Sequence, residues 1–558
     1  MNNREMALPA AEEKTRPRKE ALWGALFCGL LMIPSLFWLQ LDHGVWDWDP
    51  AEYGYFAIDL WRTLWTSPRL WPWMFFYAVG PKAPTLIWIG HFLLPLRHLL
   101  GGPENVFNLV ILAFQWGSLF LLWLTIRNLT KRNWIACLLC LWLAGMPLFV
   151  GHNHVFMTEP LQLFAVSLLW YATLCGEQWS AASMLACLLW GGAFVLGSKA
   201  STPVYCVIPA VYGVYLLFRR IRRRCWGLNW WNGIGILTGF AHLSVIAAWY
   251  VLNLAQMKQK VMDASFGEAA YVFGYRDTFF NKLFYWIRAT AESATLKTLS
   301  MLLVLCALIM AVGWVRHYSR RAGGRDSQCV LALAGMQIVV VYVVLSINIS
   351  TPIRYVYAAL PSFLLLAAVC IVRIDGFWTR RALMVCMATW FLGCFVLYLG
   401  ILPAEEVENA RYWHSPRLDR SRMSQIDYLV HLLNRPEYDE VYHLCGADFH
   451  WLSGSTLNYY AAVNSLETGC RTRFGRLGHS VADTEEAWAK VHDQLGCYIA
   501  ASPEHMNARE DAYGRVAREV LSRIRMDPRF SREYHEELTD IEIYRNIALK
   551  KPERQTND

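Results

Sequence analysis

The sequence predicts an α-helical polytopic membrane protein, with about 11 transmembrane helices and a small C-terminal α/β extracytoplasmic domain. Of the 558 residues, 55% are hydrophobic, and apolar runs recur at close to the roughly 20 residues that cross a bilayer. Only 17% are charged, whereas an average soluble domain has about 25%. Composition therefore indicates a chain that lies largely in the membrane.

Charge divides the chain into two parts. Residues 404–558 contain 20 Lys+Arg and 26 Asp+Glu, against 52 and 44 in the whole chain. The C-terminal segment, called the tail below, is therefore acidic and has the polarity of a soluble domain. The basic excess belongs to residues 1–403, where it is expected of cytoplasmic loops. It does not indicate nucleic-acid binding.

The first apolar run, residues 21–41, follows Lys14, Arg16, Arg18 and Lys19. It is longer than the apolar part of a signal peptide, and no small-x-small cleavage site follows it. We therefore expect a retained helix that follows a cytoplasmic segment, residues 1–20. Ten further candidate spans are 105–126, 133–150, 160–175, 181–197, 203–218, 230–252, 299–315, 329–347, 355–372 and 382–402.

Clusters of arginine and lysine determine the predicted topology. When the 11 spans alternate, the clusters at 127–132, 219–224, 316–325 and 373–381 all lie on the side of the basic N-terminus, as the positive-inside rule requires. If the apolar stretch 85–100 also crossed the membrane, the later arginine clusters would lie outside the cytoplasm. Because it is short and contains Pro95, we expect an interfacial or re-entrant helix.

This topology assigns three domains, of which the first is the cytoplasmic segment, residues 1–20. Residues 21–403 form the membrane domain, whose loops 42–104 and 253–298 lie outside the cytoplasm, and residues 404–558 form a soluble periplasmic domain. In the tail, the runs DEVYHLCG, LGCYIAAS and ELTDIEIYRN are typical of strands, with the last as the closing strand, and 512–526 has helical spacing. These patterns predict a small α/β domain.

Cysteine usage gives no metal or disulfide framework. Twelve of the 15 cysteines precede residue 404, mostly within apolar runs, and the single CxxC motif, Cys137 to Cys140, lies inside such a run with no second cysteine pair of this kind to complete a structural zinc site. The tail contains Cys445, Cys470 and Cys497, which allow one disulfide of undetermined pairing.

Several polar side chains lie on the predicted external face of the membrane domain. Such groups are unfavourable beside a bilayer unless they are solvated or functional. None of them belongs to the basic clusters that determine the topology, so their common sidedness independently supports a shared site. They are Asp47, Asp49, Glu52, Lys82, His152, His154, Glu159, Lys199 and Arg354.

Each of these residues also has a structural interpretation. Asp47 and Glu52 would be solvated loop carboxylates, the lysines and the arginine would extend to lipid headgroups or anchor a helix end, and the histidines would form interfacial hydrogen bonds. Asp49 and Glu159 are harder to explain in this way, since each directly precedes a proline at a predicted helix start.

Acids and separated bases at a membrane face suit one reaction well. A carboxylate can take a proton from an acceptor hydroxyl as a general base. Lysine and arginine can neutralise a phosphate leaving group as its charge develops. A lipid-phosphate sugar donor would supply that phosphate at the membrane surface.

WDWDPAEYGYF, residues 46–56, resembles the first-loop acidic motif of the GT-C glycosyltransferases, particularly the protein O-mannosyltransferase and aminoarabinose-transferase branch. In that motif an Asp, three residues and a Tyr open a juxtamembrane helix. Asp49 and Tyr53 match it, although Pro50 replaces the usual Glu. The resemblance covers about residues 21–402, and its further matches are Lys82-Ala83-Pro84, Glu159-Pro160-Leu161, Gly197–Lys199, Trp249-Tyr250 and Arg354-Tyr355.

The resemblance implies an inverting transfer of sugar from a polyprenyl-phosphate donor to a cell-envelope glycan, lipid or protein acceptor outside the cytoplasm. Some members hold a divalent metal between the acidic motifs, for which Asp49 and Glu159 are the candidates here. No other cofactor is implied. The implied site consists of Asp49 as catalytic carboxylate, Lys82, Lys199 and Arg354 as donor-phosphate ligands, Glu159 as second acidic residue, and Glu52, Tyr53, His154 and Tyr355 in support.

Two other functions use similar lipid-linked substrates. A transporter or flippase should have repeated halves and charged or broken spans near the bilayer midplane, neither of which is evident in the sequence. A surface-polysaccharide polymerase or ligase would also use external arginines. We expect a multi-pass enzyme of the bacterial inner membrane, and the sequence leaves its sugar and acceptor open.

Overall fold

The computed structural model describes most of the chain, and the account below concerns those residues. They are 9–41, 44–77, 82–267, 270, 274–294, 325–372, 377–398, 421–434, 441–447, 451–470, 472–477, 483–492, 496–501, 512–536 and 541–548.

The membrane domain is helical throughout its described residues, apart from turns and one short bridge between Gly274 and Ser350, and short 3₁₀ segments such as Ile353–Ala359, which carries Arg354, and a π segment, Thr290–Ala294, accompany the α-helices. Its helices are α1 (Pro9–Leu41), α2 (Trp48–Thr66), α3 (Trp71–Tyr77), α4 (Thr85–Leu93), α5 (Arg97–Leu100), α6 (Pro103–Thr130), α7 (Asn133–Ala144), α8 (Pro147–His152), α9 (Glu159–Cys175), α10 (Ala181–Ser198), α11 (Val207–Arg222), α12 (Trp230–Ser265), α13 (Phe279–Ala289), α14 (Arg325–Ile347), α15 (Leu360–Ile371) and α16 (Phe377–Tyr398).

Six helical segments of the described residues are long and apolar enough to cross a membrane, which confirms a multi-pass membrane protein. They are Lys19–Gln40, Pro103–Thr130, Ala181–Ser198, Trp230–Ser265, Gln328–Ile347 and Ile353–Ile371. Each coincides with a candidate span from the sequence. The candidate 299–315 lies outside the described residues, so the total of 11 spans and their orientation stay predictions.

Two segments of the membrane domain, 133–150 and 85–100, are each divided into shorter helices. The candidate span 133–150 is divided, because α7 ends at Ala144 and α8 begins at Pro147, whose missing N–H interrupts a continuous helix. The stretch 85–100 consists of α4, a 3₁₀ turn and α5, and it is shorter than the spanning helices. Its form agrees with the expected non-spanning segment.

Large aromatic side chains fill the interior of the membrane domain. Trp123, Trp142 and Trp170 are fully buried among aliphatic side chains from α1, α6, α7, α9 and α15. Lipid offers no hydrophobic drive for helices to associate, so this close packing supplies much of the attraction between them.

The tail folds into an α/β domain around one sheet, as predicted. Its helices are α17 (Ser421–Leu433), α18 (Gly454–Thr468), α19 (Thr484–His492) and α20 (Ala512–Met526). Its strands are β1 (Tyr442–Cys445), β2 (Arg473–Arg476), β3 (Cys497–Ala501), β4 (Phe530–Glu536) and β5 (Ile541–Asn546).

The sheet has the order β2-β1-β3-β5-β4. β1 pairs in parallel with β2 and β3, whereas β5 pairs antiparallel with β3 and β4. Parallel neighbours need crossover connections, which α18 and α19 provide. β5, which the sequence predicts as the closing strand, lies between β3 and β4 inside the sheet. Its Ile541 and Ile543 are fully buried. The boundary at 403/404 falls outside the described residues, and Cys445, Cys470 and Cys497 are free thiols.

The tail packs directly on α2. The Trp46 ring stacks on Tyr459 with centroids 4.9 Å apart, and the Trp46 N–H donates to the Tyr460 hydroxyl over 3.0 Å. At the other end, the Arg62 guanidinium donates to the carbonyl of Gly469, which follows α18, over 2.5 Å. α2 and α18 therefore run side by side in the same direction, and their N-termini lie at the same end.

A glycine permits this close approach. A Cβ at Gly54 would lie 2.5 Å from the Tyr459 ring, closer than any side-chain atom can tolerate. Apolar residues of α2 and α4 share one continuous core with those of the tail, such as Ile426 and Ile499. The tail is thus packed onto the external layer of the membrane domain through a common core.

Candidate active site

The acidic motif begins α2. The helix starts at Trp48, so Asp47 occupies the N-cap position and Asp49 lies in the first turn. A helix that started at Pro50, as the sequence predicts, would make Asp49 the N-cap residue, but the helix begins two residues earlier. Proline at the third helical position also needs no N–H partner, so the helix can begin two residues earlier. Asp49 therefore projects from the first turn of a formed helix.

Lys82 pairs with two carboxylates of α2. Its Nζ lies 3.0 Å from Asp49 Oδ1 and 2.7 Å from Glu52 Oε2, and it sits 4.4 Å from the centre of the Tyr53 ring. The Lys82 side chain is 8% exposed, so it does not extend to lipid headgroups. Glu52 is not the solvated neighbour that the sequence suggested, because one turn of helix places it beside Asp49, facing the same ammonium group.

The second acidic residue is buried at the start of α9. Glu159 is 1% exposed, and its Oε1 accepts a hydrogen bond from Lys199 Nζ over 3.0 Å. Lys199 directly follows α10, and its ammonium lies 5.1 Å from the centre of the Tyr355 ring. Burial lowers the pKa of Lys199, but the facing Glu159 carboxylate outweighs this and raises it overall.

Arg354 joins the two acidic residues into one cluster. Its Nη2 donates to Asp49 Oδ2 over 3.2 Å, and its Nε lies 3.6 Å from Glu159 Oε1. The structure therefore brings together Asp49, Glu52, Lys82, Glu159, Lys199 and Arg354, which the sequence separates by up to 305 positions. We call these six residues the charge cluster.

The segment that carries Arg354 is held by a lysine that sequence analysis did not identify. Lys282 of α13 is 2% exposed, and its Nζ donates to the carbonyls of Asn348 and Ile349 over 2.5 and 2.9 Å. The Tyr285 hydroxyl donates to the Thr351 carbonyl over 3.1 Å. A lysine in a long loop carries no sequence signal for such a role, since its acceptors are backbone carbonyls.

Opposite charges keep the cluster ionised. Burial raises the pKa of the Asp49 carboxyl, but Lys82 and Arg354 outweigh this and hold it well below its usual range. Burial acts in the same way on Glu52, and Lys82 again lowers that pKa. Burial lowers the pKa of Lys82, whereas Asp49 and Glu52 raise it overall. All of these groups are therefore charged at neutral pH.

A divalent metal does not fit between Asp49 and Glu159 as these residues are arranged. Both oxygens of Asp49 and Oε1 of Glu159 already accept from lysine or arginine. In the described part of the chain, no group of three or more His, Cys, Asp or Glu side chains could hold a metal ion. Because a hard cation needs several free oxygen ligands, these ion pairs do not favour a metal here, and a metal between the acidic motifs stays a prediction.

Two solved structures resemble this chain over nearly its whole length. One is ArnT from Cupriavidus metallidurans bound to undecaprenyl phosphate, with 15% identity, coverage of 95% of this chain and 99% of that one, and a TM-score of 0.56. The other is the same protein in the apo state, with 13% identity, the same coverage and a TM-score of 0.54. The chain has the GT-C fold. No family model and no curated protein matches its sequence.

Two GT-C motifs identified in the sequence have packing roles. A Cβ at Gly197 would lie 2.0 Å from the Thr85 hydroxyl, so glycine is required where α10 crosses α4. The Trp249 side chain is fully buried, and the Tyr250 hydroxyl donates to the Leu196 carbonyl over 2.8 Å. Both motifs hold the end of α10, from which Lys199 reaches the charge cluster.

The two histidines pack against other helices of the GT-C fold. The His154 ring stacks on Trp38 of α1 with centroids 3.7 Å apart. The His152 ring stacks on Tyr357 with centroids 4.9 Å apart, and its Nδ1 lies 2.7 Å from the Leu148 carbonyl oxygen. These contacts fit the structural interpretation, and the supporting role predicted for His154 stays a prediction.

Proposed function

We propose that the protein is an integral-membrane glycosyltransferase. It transfers a sugar from a polyprenyl-phosphate donor to an acceptor on the extracytoplasmic side of the membrane, with inversion at the sugar carbon. The GT-C fold supports the general reaction class, since it is shared with an ArnT structure that contains undecaprenyl phosphate.

The charge cluster is the observation that carries this proposal. Three cations and three carboxylates meet where the first turn of α2, the start of α9 and the end of α10 converge. Structural ion pairs need one partner each, whereas Lys82 and Arg354 each face two carboxylates. A phosphate could therefore replace a carboxylate at either cation and leave the other carboxylate in place.

Donor binding would also activate the base. The donor phosphate competes with Asp49 for Lys82 and Arg354, whose charges hold the pKa of this carboxyl low. When these cations turn to the phosphate, the pKa of Asp49 rises and the carboxylate becomes a better proton acceptor. Lys82 stays paired with Glu52, and Arg354 stays paired with Glu159, so both cations remain in place.

The transfer then follows as a single displacement. The acceptor oxygen attacks the anomeric carbon from the face opposite the phosphate, and its proton passes to Asp49. The bond between that carbon and the phosphate oxygen breaks, and its electron pair stays on polyprenyl phosphate. Lys82, Lys199 and Arg354 stabilise the negative charge that develops there. No step requires a metal.

The acceptor is a cell-envelope glycan, lipid or protein, and the enzyme lies in the bacterial inner membrane with its tail in the periplasm. The purified protein, reconstituted in liposomes with synthetic polyprenyl-phosphate sugars, should release polyprenyl phosphate and glycosylate an acceptor extract. Protein-dependent movement of intact donor across the bilayer without transfer would instead favour the transporter. Mass spectrometry of envelope glycans from cells with and without the protein would identify both sugar and acceptor.

A further inference from the structure

The end of α11, the start of α12 and the turn between them form a segment rich in arginine and tryptophan. We call this segment, RRIRRRCWGLNWW, residues 219–231, the basic turn. All of its residues except Arg220 are exposed. The described residues pair its five arginines with a single carboxylate, Glu177, whose Oε1 lies 3.4 Å from Arg219 Nη1. Four guanidinium groups thus have no counter-ion in the described part of the chain.

Hydrogen bonds to α10 hold the basic turn in place. The carbonyls of Cys225 and Trp226 accept from the N–H groups of Ala181 and Ala182 over 2.8 and 3.1 Å. These N–H groups belong to the first turn of α10, where a helix supplies no partners of its own for them. The basic turn therefore caps α10, and its arginines extend from a backbone that is fixed.

The backbone of the basic turn also takes conformations that need this support. Arg224 has a φ of 57°, which is uncommon for a residue with a Cβ, and Gly227 has a φ of 54°. A Cβ at Gly227 would lie 2.7 Å from the Cβ of Ser180, so glycine is required there. The Asn229 side chain caps α12 by accepting from the Asn232 N–H over 2.8 Å. The sequence thus builds a defined surface here.

The basic turn lies at the opposite end of the membrane domain from the charge cluster. α10 starts beside the turn and has 18 residues, which corresponds to about 27 Å, before Lys199 follows it. α12 starts in the turn at Trp230 and reaches the far end of α10 at Tyr250, whose hydroxyl donates to the Leu196 carbonyl. This separation is close to the roughly 30 Å of the hydrocarbon core of a bilayer. The turn therefore lies at the surface of the other leaflet, away from the proposed donor phosphate.

Exposed apolar side chains accompany the arginines. Trp230 and Trp231, the first residues of α12, are 77% and 78% exposed, and Leu228 is 60% exposed. Indole rings favour the boundary between headgroups and acyl chains. Guanidinium groups bind phosphate through two parallel hydrogen bonds. A phospholipid with a negative headgroup offers both environments at once, whereas a soluble anion would leave the tryptophans uncovered.

We propose that the basic turn binds an anionic phospholipid of the leaflet opposite the charge cluster. Arg222, Arg223 and Arg224 bind the headgroup phosphate, and Trp230 and Trp231 lie at the level of the glycerol and the upper acyl chains. Clusters of at least four basic residues next to a spanning helix are typical of such lipid sites. The site is separate from the proposed transfer reaction and does not depend on it.

Native mass spectrometry of the full-length protein in a neutral detergent tests the preference. The protein is titrated with dioleoyl phosphatidylglycerol, and with dioleoyl phosphatidylcholine as the control with the same acyl chains and no net charge. We expect the wild type to bind phosphatidylglycerol at least about tenfold more tightly. Arg222→Gln/Arg223→Gln should remove most of this preference and change phosphatidylcholine binding by less than about twofold. Equal affinity of the wild type for the two lipids, or an unchanged preference in the variant, would overturn the inference.

A second basic pair tests whether the effect is local. Lys131 and Arg132 follow α6 at the same end of the membrane domain, where Asn128 donates to the sulfur of Cys175 over 3.2 Å, two residues before Glu177. Lys131→Gln/Arg132→Gln removes the same charge and should keep the preference for phosphatidylglycerol within about twofold. An equal loss in this variant would assign the preference to net charge and refute a site at the basic turn.

Two competitors and a conservative variant identify the occupant. sn-Glycerol 3-phosphate, a phosphate without acyl chains, should not displace phosphatidylglycerol at about hundredfold excess, and displacement would make the turn a site for a soluble anion. Undecaprenyl phosphate should not displace it either, and displacement would place the proposed donor at the basic turn. Arg222→Lys/Arg223→Lys keeps both charges and should retain most of the preference. Loss of the preference in this variant as well would refute a site based on charge.

Discussion

Replacing Asp49 with asparagine removes the proposed base while leaving its cation partners largely satisfied. Lys82 keeps Glu52 at 2.7 Å, and Arg354 keeps Glu159 at 3.6 Å. The site gains one net positive charge, so the donor phosphate should bind at least as tightly as in the wild type. General-base catalysis contributes about 10²- to 10⁴-fold. At about 1.4 kcal/mol per tenfold change, the activation barrier should therefore rise by roughly 3 to 5 kcal/mol.

Single-turnover transfer measures this effect directly. Protein preloaded with radiolabelled donor is mixed with acceptor, and the rate is followed together with the affinity for undecaprenyl phosphate. Asp49→Asn should bind normally and transfer 10²- to 10⁴-fold more slowly. Asp47→Asn, the matched control two residues away, should keep substantial activity. A fully active Asp49→Asn with an inactive Asp47→Asn would show that the wrong aspartate was chosen, and two active variants would refute a base in this motif.

Four further predictions address the phosphate site, the topology, the support of Arg354 and the tail. Lys82→Ala or Arg354→Ala should reduce transfer at least roughly tenfold, since a lost charged contact costs about 2–5 kcal/mol; full activity of both at normal expression would remove them from the phosphate site. An impermeant thiol reagent should label Ser480→Cys in intact cells, and protection would contradict an external tail. Lys282→Met should lower kcat more than about fivefold although Arg354 itself is unchanged, because the carbonyls of Asn348 and Ile349 lose their hydrogen-bond donor. An unchanged kcat would show that Lys282 is not needed to hold the segment that carries Arg354. Burial lowers the pKa of His443 to about 3, so the unfolded chain binds the proton more strongly. Tail stability should therefore fall by about 1.4 kcal/mol per pH unit from about pH 6 to pH 3. His443→Asn should flatten this dependence in hydrogen exchange of tail amides, and an equal slope in the variant would exclude His443 as the cause.

Local patterns in the sequence were sufficient to predict the class of fold and five of the six members of the charge cluster. The length of an apolar run predicts a spanning helix, and the placement of basic clusters predicts which polar residues share a side. Asp49, Lys82, Glu159, Lys199 and Arg354 could be selected in this way, because a charged group beside a bilayer is conspicuous.

Contacts between distant segments could not be predicted from the same patterns. The role of Glu52 depends on where Lys82 folds back, and Lys282 binds carbonyls that any residue could supply. The docking of the tail depends on Gly54 of α2 facing Tyr459 of α18. Each of these relations joins residues far apart in the chain, and neither partner has an unusual local sequence.

The low pKa of Asp49 looks at first inconsistent with a base, because a carboxylate that two cations stabilise accepts a proton poorly. The arrangement of the charge cluster removes the inconsistency. Lys82 and Arg354 each have a second carboxylate partner, so the cations remain ionised and in place when they turn toward a phosphate. In the proposed mechanism, the same movement that neutralises the donor raises the basicity of Asp49. Without donor, the carboxylate is held in ion pairs and has little tendency to deprotonate an acceptor or water.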